Sequence, residues 1–301
     1  MNKMKLIIAV LSILTINFSN GQTISILKDK IEKILIDKNA TVGVSIAGIS
    51  PDDTISINGD KQLPMQSVYK YHLALTVLRE VDKGIWGLND TIEITKEHLD
   101  NSLWSVIRKK IPDGGILKLS EVIKYTVANS DNVGCDLLFD MIGGPIIAQN
   151  YMHETGISEV AIRDKEAMLQ SDWKLQYRNW TTANAANKTL KLFYENKENQ
   201  LSAKSHKFLW EIMKKSWFGK ISMKTYLPEN VIIAHKTGHS GKNDEGITGA
   251  QNDIGIIFLP NGGYFYLSIL ISDSTEESKV NKKIIADIAK LSYDYFKDKN
   301  E

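Results

Sequence analysis

Residues 66–78 read Gln66-Ser67-Val68-Tyr69-Lys70-Tyr71-His72-Leu73-Ala74-Leu75-Thr76-Val77-Leu78, an apolar helical run with a serine and a lysine at its head. Pro64 stands shortly before it, and proline is common near helix starts. Residues three apart share a helix face, so the Lys70 amine is expected beside the Ser67 hydroxyl. A serine hydroxyl is a weak nucleophile until a base accepts its proton, and an amine with a lowered pKa can be that base. The stretch therefore predicts a compact unit of nucleophile and base.

The same Ser-x-x-Lys spacing also occurs at Ser25–Lys28 and Ser171–Lys174, so the spacing alone decides nothing. Two later motifs, each present once, favour the first occurrence. Ser130-Asp131-Asn132 offers a second hydroxyl for proton transfer and an amide for hydrogen bonding, although these residue types also cap helices. Lys236-Thr237-Gly238 follows a predicted strand and offers a second cation, although these residues also suit an ordinary strand end.

The third motif has two further consequences for the expected site. A second cation at Lys236 would lower the pKa of Lys70 and attract an anionic substrate. Gly238 would let a ligand approach the backbone closely. The next residue, His239, would donate a backbone N–H which, with the N–H of Ser67, forms an oxyanion hole.

The chain has an ordinary globular composition and an N-terminal segment of a different kind. Of its 301 residues, 43% are hydrophobic and 24% are charged, and the net charge of +1 gives no reason to expect nucleic acid or an anionic membrane as a partner. Lys3 and Lys5 precede a short apolar run, residues 6–16, and a mostly polar stretch, residues 17–22. This pattern predicts a secretory signal over residues 1–21, with an uncleaved anchor as the alternative.

Cysteine and histidine usage exclude two kinds of stabilisation. Cys135 is the only cysteine, so an intramolecular disulfide is impossible, and its apolar neighbours predict a buried side chain. The six histidines are scattered and no cluster has zinc spacing, so no metal and no cofactor are expected.

Hydrophobic periodicity predicts strands near both ends of the chain and helices between them. A helix is expected from Ile24, then strands with Val42, Val44 and Ile46 and with Ile55 and Ile57 on alternate positions. Further strands are predicted over residues 230–235, 253–259 and 264–271. The pattern predicts an antiparallel sheet built from residues 22–64 and 213–301 with flanking helices, an all-helical domain inserted over residues 65–212, and an active-site cleft between them.

Ser-x-x-Lys, Ser-Asp-Asn and Lys-Thr-Gly, in this order at 67, 130 and 236, resemble the motif set of the serine β-lactamase and penicillin-binding superfamily. The segment Lys165-Glu166-Ala167-Met168-Leu169-Gln170, ahead of Asn179-Trp180-Thr181, is similar to the omega loop of class A β-lactamases and would span about 161–181. Four further segments resemble the PER/VEB branch of extended-spectrum enzymes: Met65-Gln66-Ser67, Asp131-Asn132-Val133-Gly134-Cys135-Asp136, Gln176-Tyr177-x-Asn179-Trp180 and Ala234-His235-Lys236-Thr237-Gly238.

The resemblance implies an α/β (α+β) fold of the serine β-lactamase and penicillin-binding type, and it implies a role for each motif residue. Ser67 would be the acylated nucleophile, and Lys70 and Glu166 would share the role of base. Ser130 would pass a proton to the lactam nitrogen. The residues expected to bind the substrate are Asn132 at its amide, Lys236 and Thr237 at its carboxylate, Gly238 and His239 at its backbone contact, and Trp104 and Gln170 at the cleft wall, although Trp104 suits a core position equally well.

Several positions depart from the family pattern. Gln170 stands where the family commonly has Asn and the PER/VEB branch has His. Asp164 and Asn179 occupy the places of the usual Arg–Asp ion pair, so no counterpart of that pair is expected. His239 replaces the usual Ser or Thr, and no arginine follows Arg178 to assist in carboxylate binding. Three lysines are candidates for that role, namely Lys220, Lys224 and Lys242.

The expected function is that of a periplasmic β-lactamase which hydrolyses penicillins and cephalosporins and confers resistance to them. Its partner would be the small-molecule β-lactam, with no nucleic acid and no membrane involved, and the enzyme would be a monomer. Two alternatives share the three motifs: a D-alanyl-D-alanine peptidase, and a penicillin sensor that stays acylated.

Overall fold

The computed structural model describes residues 23–99, 102–216 and 222–299. The predicted signal, residues 1–21, lies outside these ranges. Within them, no helix is long and apolar enough to cross a membrane. The helices are α1 (Ile24–Leu35), α2 (Tyr69–Asp82), α3 (Val106–Lys110), α4 (Leu119–Ala128), α5 (Asn132–Ile142), α6 (Pro145–Glu154), α7 (Glu166–Ser171), α8 (Ala183–Glu195), α9 (Ala203–Met213) and α10 (Ser278–Lys299), with 3₁₀ turns at Gln66–Val68, Lys96–His98 and Trp173–Arg178.

The strands are β1 (Thr41–Ala47), β2 (Thr54–Ile57), β3 (Leu63–Pro64), β4 (Thr91–Ile94), β5 (Gly115–Lys118), β6 (Val160–Ala161), β7 (Trp180–Thr181), β8 (Ile233–His239), β9 (Gln251–Phe258) and β10 (Tyr264–Ser272). Strands from both ends of the chain form one five-stranded antiparallel sheet in the order β2-β1-β10-β9-β8, as predicted. Two smaller sheets, β3-β7-β6 and β4-β5, lie among the helices, so the expectation that residues 65–212 are all-helical is wrong. Strands this short form through pairing with a neighbour, which the local pattern does not mark.

The strand predicted to end at His235 instead continues to His239 as β8. The pairing with β9 continues to His239, opposite Gln251. The prediction stopped early because local composition marks a strand end only weakly, whereas the ladder of hydrogen bonds to a neighbouring strand decides it. The Lys-Thr-Gly motif therefore lies within the edge strand of the sheet.

The two faces of the large sheet bury separate groups of apolar side chains. Helices α1 and α10 pack on one face, where Phe265 stacks on Phe296 with ring centroids 4.6 Å apart. Helix α8 covers the other face. The cluster on that side extends through the helices between β3 and β8.

Helix α2 lies at the centre of the helical part of the fold. Its first ten residues, 69–78, are all buried, and α4, α5, α6 and α9 pack around it. A helix that is buried all round holds its end residues firmly, because every side is packed. The 3₁₀ turn that precedes α2 is thereby fixed beside the edge strand β8.

Candidate active site

The Ser67 hydroxyl lies in the 3₁₀ turn before α2 and is half-buried. Lys70 Nζ donates a hydrogen bond to Ser67 Oγ at 2.9 Å, and the Lys70 side chain is fully buried. The preceding residue, Gln66, has a left-handed backbone with φ of 46°. A non-glycine residue rarely adopts this conformation away from constrained sites, so the turn that presents the hydroxyl is a specialised one.

The two other Ser-x-x-Lys occurrences have no such environment. Ser25 is exposed on α1, and Lys28 pairs with Glu32 at 2.9 Å on the surface of that helix. Ser171 Oγ donates to the carbonyl oxygen of Met168 at 2.7 Å at the exposed end of α7. The fold thus separates the first motif from two chance matches that spacing alone could not separate.

The Lys70 amine joins the nucleophile to two other elements of the site. Its Nζ donates to the Ser130 carbonyl oxygen at 3.0 Å and to Asn132 Oδ1 at 2.5 Å, and it lies 3.0 Å from Glu166 Oε1. With Ser67, four oxygen atoms of the described residues surround the Lys70 amine. Of these four, only the Glu166 carboxylate is basic enough to exchange a proton with the amine, which in turn contacts the Ser67 hydroxyl.

The Ser-Asp-Asn motif was open to two interpretations, a helix cap or part of the site, and the structure shows both. Asp131 caps helices, whereas Ser130 and Asn132 line the cleft. The buried Asp131 carboxylate accepts hydrogen bonds from the backbone N–H groups of Val106 at 2.5 Å, Ile107 at 2.8 Å and Gly134 at 2.8 Å. These bonds tie the starts of α3 and α5 together. Ser130, which precedes them, is held with a left-handed φ of 56°.

Lys236 is buried on β8, and its amine contacts the second hydroxyl of the site. Lys236 Nζ donates to Ser130 Oγ at 3.0 Å and to the Thr237 carbonyl oxygen at 2.8 Å. Burial, and then the positive charge of Lys70, lower the pKa of Lys236 to about 7. The cation expected to bind a substrate carboxylate is therefore close to its titration point at neutral pH.

The backbone of β8 presents a free donor at the edge of the sheet. Phe258 N donates to the Ile232 carbonyl oxygen and Ser240 N donates to the Ala250 carbonyl oxygen, so even-numbered residues of this strand bond to β9. Odd-numbered residues therefore direct their N–H groups to the open edge. The His239 N–H is one of these.

Gly238 brings this edge against the 3₁₀ turn that carries Ser67. A Cβ atom added to Gly238 would lie 2.4 Å from the Met65 carbonyl oxygen and 3.2 Å from Ser67 N. Only a glycine fits, because the two backbones are in contact. Ser67 and His239, the two residues whose N–H groups are predicted to form an oxyanion hole, both line the same cleft.

Glu166 is the first residue of α7 and is 1% exposed. Its Oε1 lies 3.0 Å from Lys70 Nζ, and its Oε2 accepts a hydrogen bond of 3.4 Å from Gln170 Nε2. Burial raises the pKa of Glu166, but the charge of Lys70 and donated hydrogen bonds outweigh burial, and the pKa is lower than usual. The carboxylate is therefore ionised at neutral pH and available as a base.

The segment that carries Glu166 is fixed to the helical core through a second carboxylate. Asp136 on α5 accepts hydrogen bonds from Glu166 N at 2.7 Å and from Ala167 N at 2.9 Å. Burial raises the pKa of Asp136 to about 6 despite these bonds. Sequence reasoning assigned no role to Asp136, because a lone Asp within a helical pattern has no distinctive signal.

The expected absence of an Arg–Asp ion pair in this segment is wrong. Arg178 Nε lies 3.1 Å from Asp164 Oδ2, so the pair forms from the residue before Asn179. Asn179 takes a backbone role instead: its Oδ1 accepts from Arg163 N at 2.8 Å and Asp164 N at 3.1 Å, and its Nδ2 donates to the Asp164 carbonyl oxygen at 2.9 Å. The prediction considered only the residues at positions 164 and 179. The arginine one position earlier, Arg178, has a side chain long enough to reach Asp164.

A cleft of about 620 Å³ gathers most of the predicted site residues. Trp104 is 47% exposed on its wall, so its interpretation as a core residue is wrong. Lys109 Nζ lies 4.1 Å from the centre of the Trp104 ring. The lining residues are Gln66, Ser67, Ser102, Trp104, Ser130, Asn132, Glu166, Gln170, Ser222, Thr237, Gly238, His239, Ser240, Gly241, Gln251 and Lys282.

The lysine that lines the cleft is one that the sequence did not indicate. Lys282, on α10, lines the cleft. Lys224 instead donates to backbone carbonyl groups, among them that of Pro228 at 2.9 Å. The backbone of Lys242 forms an isolated β-bridge with Thr248, and Lys242 does not line the cleft. Lys220 lies outside the described residues. Lys282 is 46 positions beyond Lys236 of the last motif, and only the packing of α10 brings it close.

Hydroxyl, amine and carboxylate in hydrogen-bond contact at one cleft are the groups of a serine hydrolase. A family model described as "Beta-lactamase enzyme family" matches residues 26–296. This chain belongs to that family, which confirms the resemblance noted in its motifs.

Similar proteins cover nearly the whole chain. Beta-lactamase VEB-1 of Pseudomonas aeruginosa is 43% identical over 98% of this chain and 98% of its own, and the extended-spectrum beta-lactamase PER-1 of the same species is 38% identical over 97% and 95%. The crystal structure of the TLA-1 extended-spectrum beta-lactamase has a TM-score of 0.88 and 43% identity, covering 91% of this chain and 99% of that one. A class A beta-lactamase from Bacteroides cellulosilyticus has a TM-score of 0.87 and 33% identity, covering 92% and 100%. The predicted fold class and enzyme class are confirmed: the fold is that of class A β-lactamases.

Proposed function

We propose that this chain hydrolyses the β-lactam amide of penicillins and cephalosporins through an acyl-enzyme on Ser67 and so confers resistance to them. One observation carries the proposal: a single buried amine, Lys70 Nζ, contacts the Ser67 hydroxyl at 2.9 Å and the Glu166 carboxylate at 3.0 Å. The nucleophile and the carboxylate that would activate water belong to one network.

Acylation begins when Ser67 Oγ attacks the lactam carbonyl carbon. The hydroxyl proton passes either to Lys70, acting as a neutral amine, or to Glu166, which lies 3.0 Å from Lys70 Nζ. The N–H groups of Ser67 and His239 stabilise the oxyanion. Ser130 Oγ then donates a proton to the lactam nitrogen as the C–N bond breaks. The proton taken from Ser67 returns to Ser130 Oγ through Lys70, so that Glu166 is a carboxylate again before deacylation.

Deacylation needs a water molecule that is held and deprotonated next to the ester. Glu166 Oε2 and the Gln170 amide both border the cleft and can hold such a water molecule. The water oxygen attacks the ester carbon and its proton passes to Glu166. The Ser67 oxygen leaves as a hydroxyl by taking a proton from Lys70 Nζ, and Glu166 returns the proton from water to Lys70. Asn132 would bind the substrate amide, Lys236 and Thr237 would bind its carboxylate, and Trp104 would form a wall of the cleft.

The peptidase and sensor alternatives are not favoured. A sensor requires acylation alone, and a peptidase acts on a different acyl group. Neither needs a buried carboxylate such as Glu166 at 3.0 Å from the Lys70 amine. The relatives that match over most of this chain are β-lactamases.

We further infer that residues 1–21 direct export to the periplasm and are removed. Residues 22–64 and 213–301 form one lobe of the mature chain, and residues 65–212 form the other. The mature chain acts as a monomer. The charged, apolar and polar order of the first 22 residues supports export. Mass spectrometry of the periplasmic protein should give the mass of a chain that begins close to Gln22.

The test of the proposed function is hydrolysis of a chromogenic cephalosporin by the purified mature chain. We expect many turnovers per enzyme molecule. A single stoichiometric burst without further turnover would support a sensor, and cleavage of a D-alanyl-D-alanine peptide without β-lactam turnover would support a peptidase.

Lys236→Ala is expected to lower kcat/KM. The loss of transition-state stabilisation should be about 2–4 kcal/mol, as for the loss of a charge-assisted contact. The positive form exists below the pKa, which is about 7, so kcat/KM of the native chain should fall as the pH rises through that value. Lys236→Arg keeps its charge at all these pH values and should retain kcat/KM on the alkaline side. Unchanged kcat/KM in Lys236→Ala at low salt would contradict this role.

Lys282→Ala is expected to raise KM about fivefold or less, since a partly exposed charge contributes modestly and is screened by salt. The effect should shrink at high ionic strength. Lys283→Ala is the matched control, because the neighbouring Lys283 is exposed and pairs with Asp287 at 2.6 Å. Equal KM values for the two variants would remove Lys282 from substrate binding.

A further inference from the structure

Tyr69 connects the nucleophile helix to the catalytic carboxylate through its side-chain hydroxyl. It is the first residue of α2 and is fully buried. Its OH donates a hydrogen bond to Glu166 Oε1 at 2.5 Å. The Ser-x-x-Lys motif leaves this position unspecified, so the motif gives no role to the residue that occupies it.

We propose that Tyr69 is a positioning residue for the general base: its hydroxyl holds Oε1 of Glu166 so that Oε2 faces the water that hydrolyses the acyl-enzyme. The inference rests on the proposed function, in which Glu166 activates that water.

The two oxygen atoms of Glu166 have different surroundings. Oε1 has two donors close by, the Tyr69 hydroxyl at 2.5 Å and Lys70 Nζ at 3.0 Å. Oε2 accepts one long hydrogen bond of 3.4 Å from Gln170, which lines the cleft together with Glu166. Oε2 therefore keeps capacity for a water molecule on the cleft side, whereas Oε1 is already occupied.

The direction of the bond between Tyr69 and Glu166 is fixed by burial and packing. Burial, and then the charge of Glu166, raise the pKa of Tyr69 well above its usual value, so the phenol remains protonated and acts as the donor. The Tyr69 ring packs against Phe139 of α5 with centroids 5.8 Å apart, which limits its rotation. A donor held in this way orients the carboxylate that accepts from it.

A purely structural hydroxyl is the competing explanation, since buried polar groups usually seek any partner nearby. Tyr71 tests that explanation two residues further along α2. It is also fully buried, and its hydroxyl has no hydrogen-bond partner among the described residues. Burial on this helix therefore does not by itself pair a phenol with another group of the described residues, so burial alone does not account for the contact of Tyr69 with Glu166.

The experiment compares Tyr69→Phe with the native chain by rapid-quench mass spectrometry of the acyl-enzyme formed with a cephalosporin, over a range of pH. The ring is kept and only the donor is lost. At neutral pH we expect deacylation to slow about tenfold and acylation to slow less than about threefold. The acidic limb of the deacylation rate should move up by about one pH unit, because the lost donor had stabilised the ionised carboxyl group.

Other ionisable groups also face Glu166. They are Lys70 on α2, Cys135 and Asp136 on α5, and Lys236 on β8. Burial raises the pKa of Cys135 well above its usual value, so its thiol stays neutral. Asp136, with a pKa of about 6, titrates in the relevant range, but its bonds to the backbone do not involve Tyr69. If Asp136 set the acidic limb of the deacylation rate, the pH of that limb would be the same in Tyr69→Phe as in the native chain.

Tyr71→Phe is the matched control, and it should have native rates and a native acidic limb. An unmoved limb in Tyr69→Phe, or an equal slowing of both steps, would overturn the inference, as would the same change in Tyr71→Phe. The double variant Tyr69→Phe/Glu166→Ala should deacylate no more slowly than Glu166→Ala, because the hydroxyl acts through the carboxylate. If Glu166→Ala itself turns over normally, the proposed role of Glu166 as the base fails together with the inference; if it traps an adduct while Tyr69→Phe behaves as native, the inference alone fails.

Discussion

Ser67→Ala is expected to abolish the acyl-enzyme and to lower kcat/KM by roughly 10⁴–10⁶-fold, the scale of removing a nucleophile whose partners act as a unit. The reason is local: the variant has no oxygen atom at the point 2.9 Å from Lys70 Nζ. Intact-mass spectrometry after mixing with a cephalosporin should show the native adduct and no adduct in the variant.

The other two Ser-x-x-Lys serines provide the controls for this result. Ser25→Ala and Ser171→Ala change hydroxyls that lie on the exposed face of α1 and at the exposed end of α7. Both variants should form the adduct at the native rate. An adduct that persists in Ser67→Ala, or that maps to Ser25 or Ser171, would refute the assignment.

Glu166→Ala is expected to slow deacylation by at least about 100-fold while acylation continues, so that acyl-enzyme accumulates. General-base catalysis typically contributes roughly 10²–10⁴-fold, and an ester on Ser67 is stable unless a water molecule is both held and deprotonated. Acylation has Lys70 as a second candidate base, whereas deacylation has only Glu166 among the residues proposed as bases.

The pH dependence follows from the lowered pKa of Glu166. The base form exists above the pKa, so deacylation of the native chain should be lost only in acidic solution. Glu159→Ala, at an exposed glutamate before the loop, is the control and should turn over normally. Native turnover without trapped adduct in Glu166→Ala would rule out the class A mechanism for this chain.

The motif residues could be predicted because the chemistry restricts both residue type and spacing. Ser67 and Lys70 share a helix face in any α-helix that begins there, and the structure brings them to 2.9 Å. The contact between Lys236 and Ser130, at 3.0 Å, joins residues 106 positions apart and could be expected only from the resemblance to a family. Spacing alone left three equal Ser-x-x-Lys candidates.

The supporting residues could not be predicted, because their roles depend on tertiary packing. Asp136 bonds to the segment of Glu166 only because α7 begins beside α5, and Lys282 lines the cleft only because α10 packs against β9 and β10. Arg178 forms an ion pair that a comparison of single positions excluded. Local pattern decides which elements form, whereas the meeting of distant elements decides which side chains can cooperate.

Rapid-quench mass spectrometry of Glu166→Ala with a cephalosporin, followed by peptide mapping, tests in one experiment whether Ser67 is acylated and Glu166 drives deacylation. We predict a stoichiometric adduct on the peptide that contains Ser67, formed within the time of a few native turnovers and decaying at least about 100-fold more slowly than in the native chain. Continued hydrolysis without an adduct would contradict the role of Glu166, and an adduct on a different serine would contradict the assignment of Ser67.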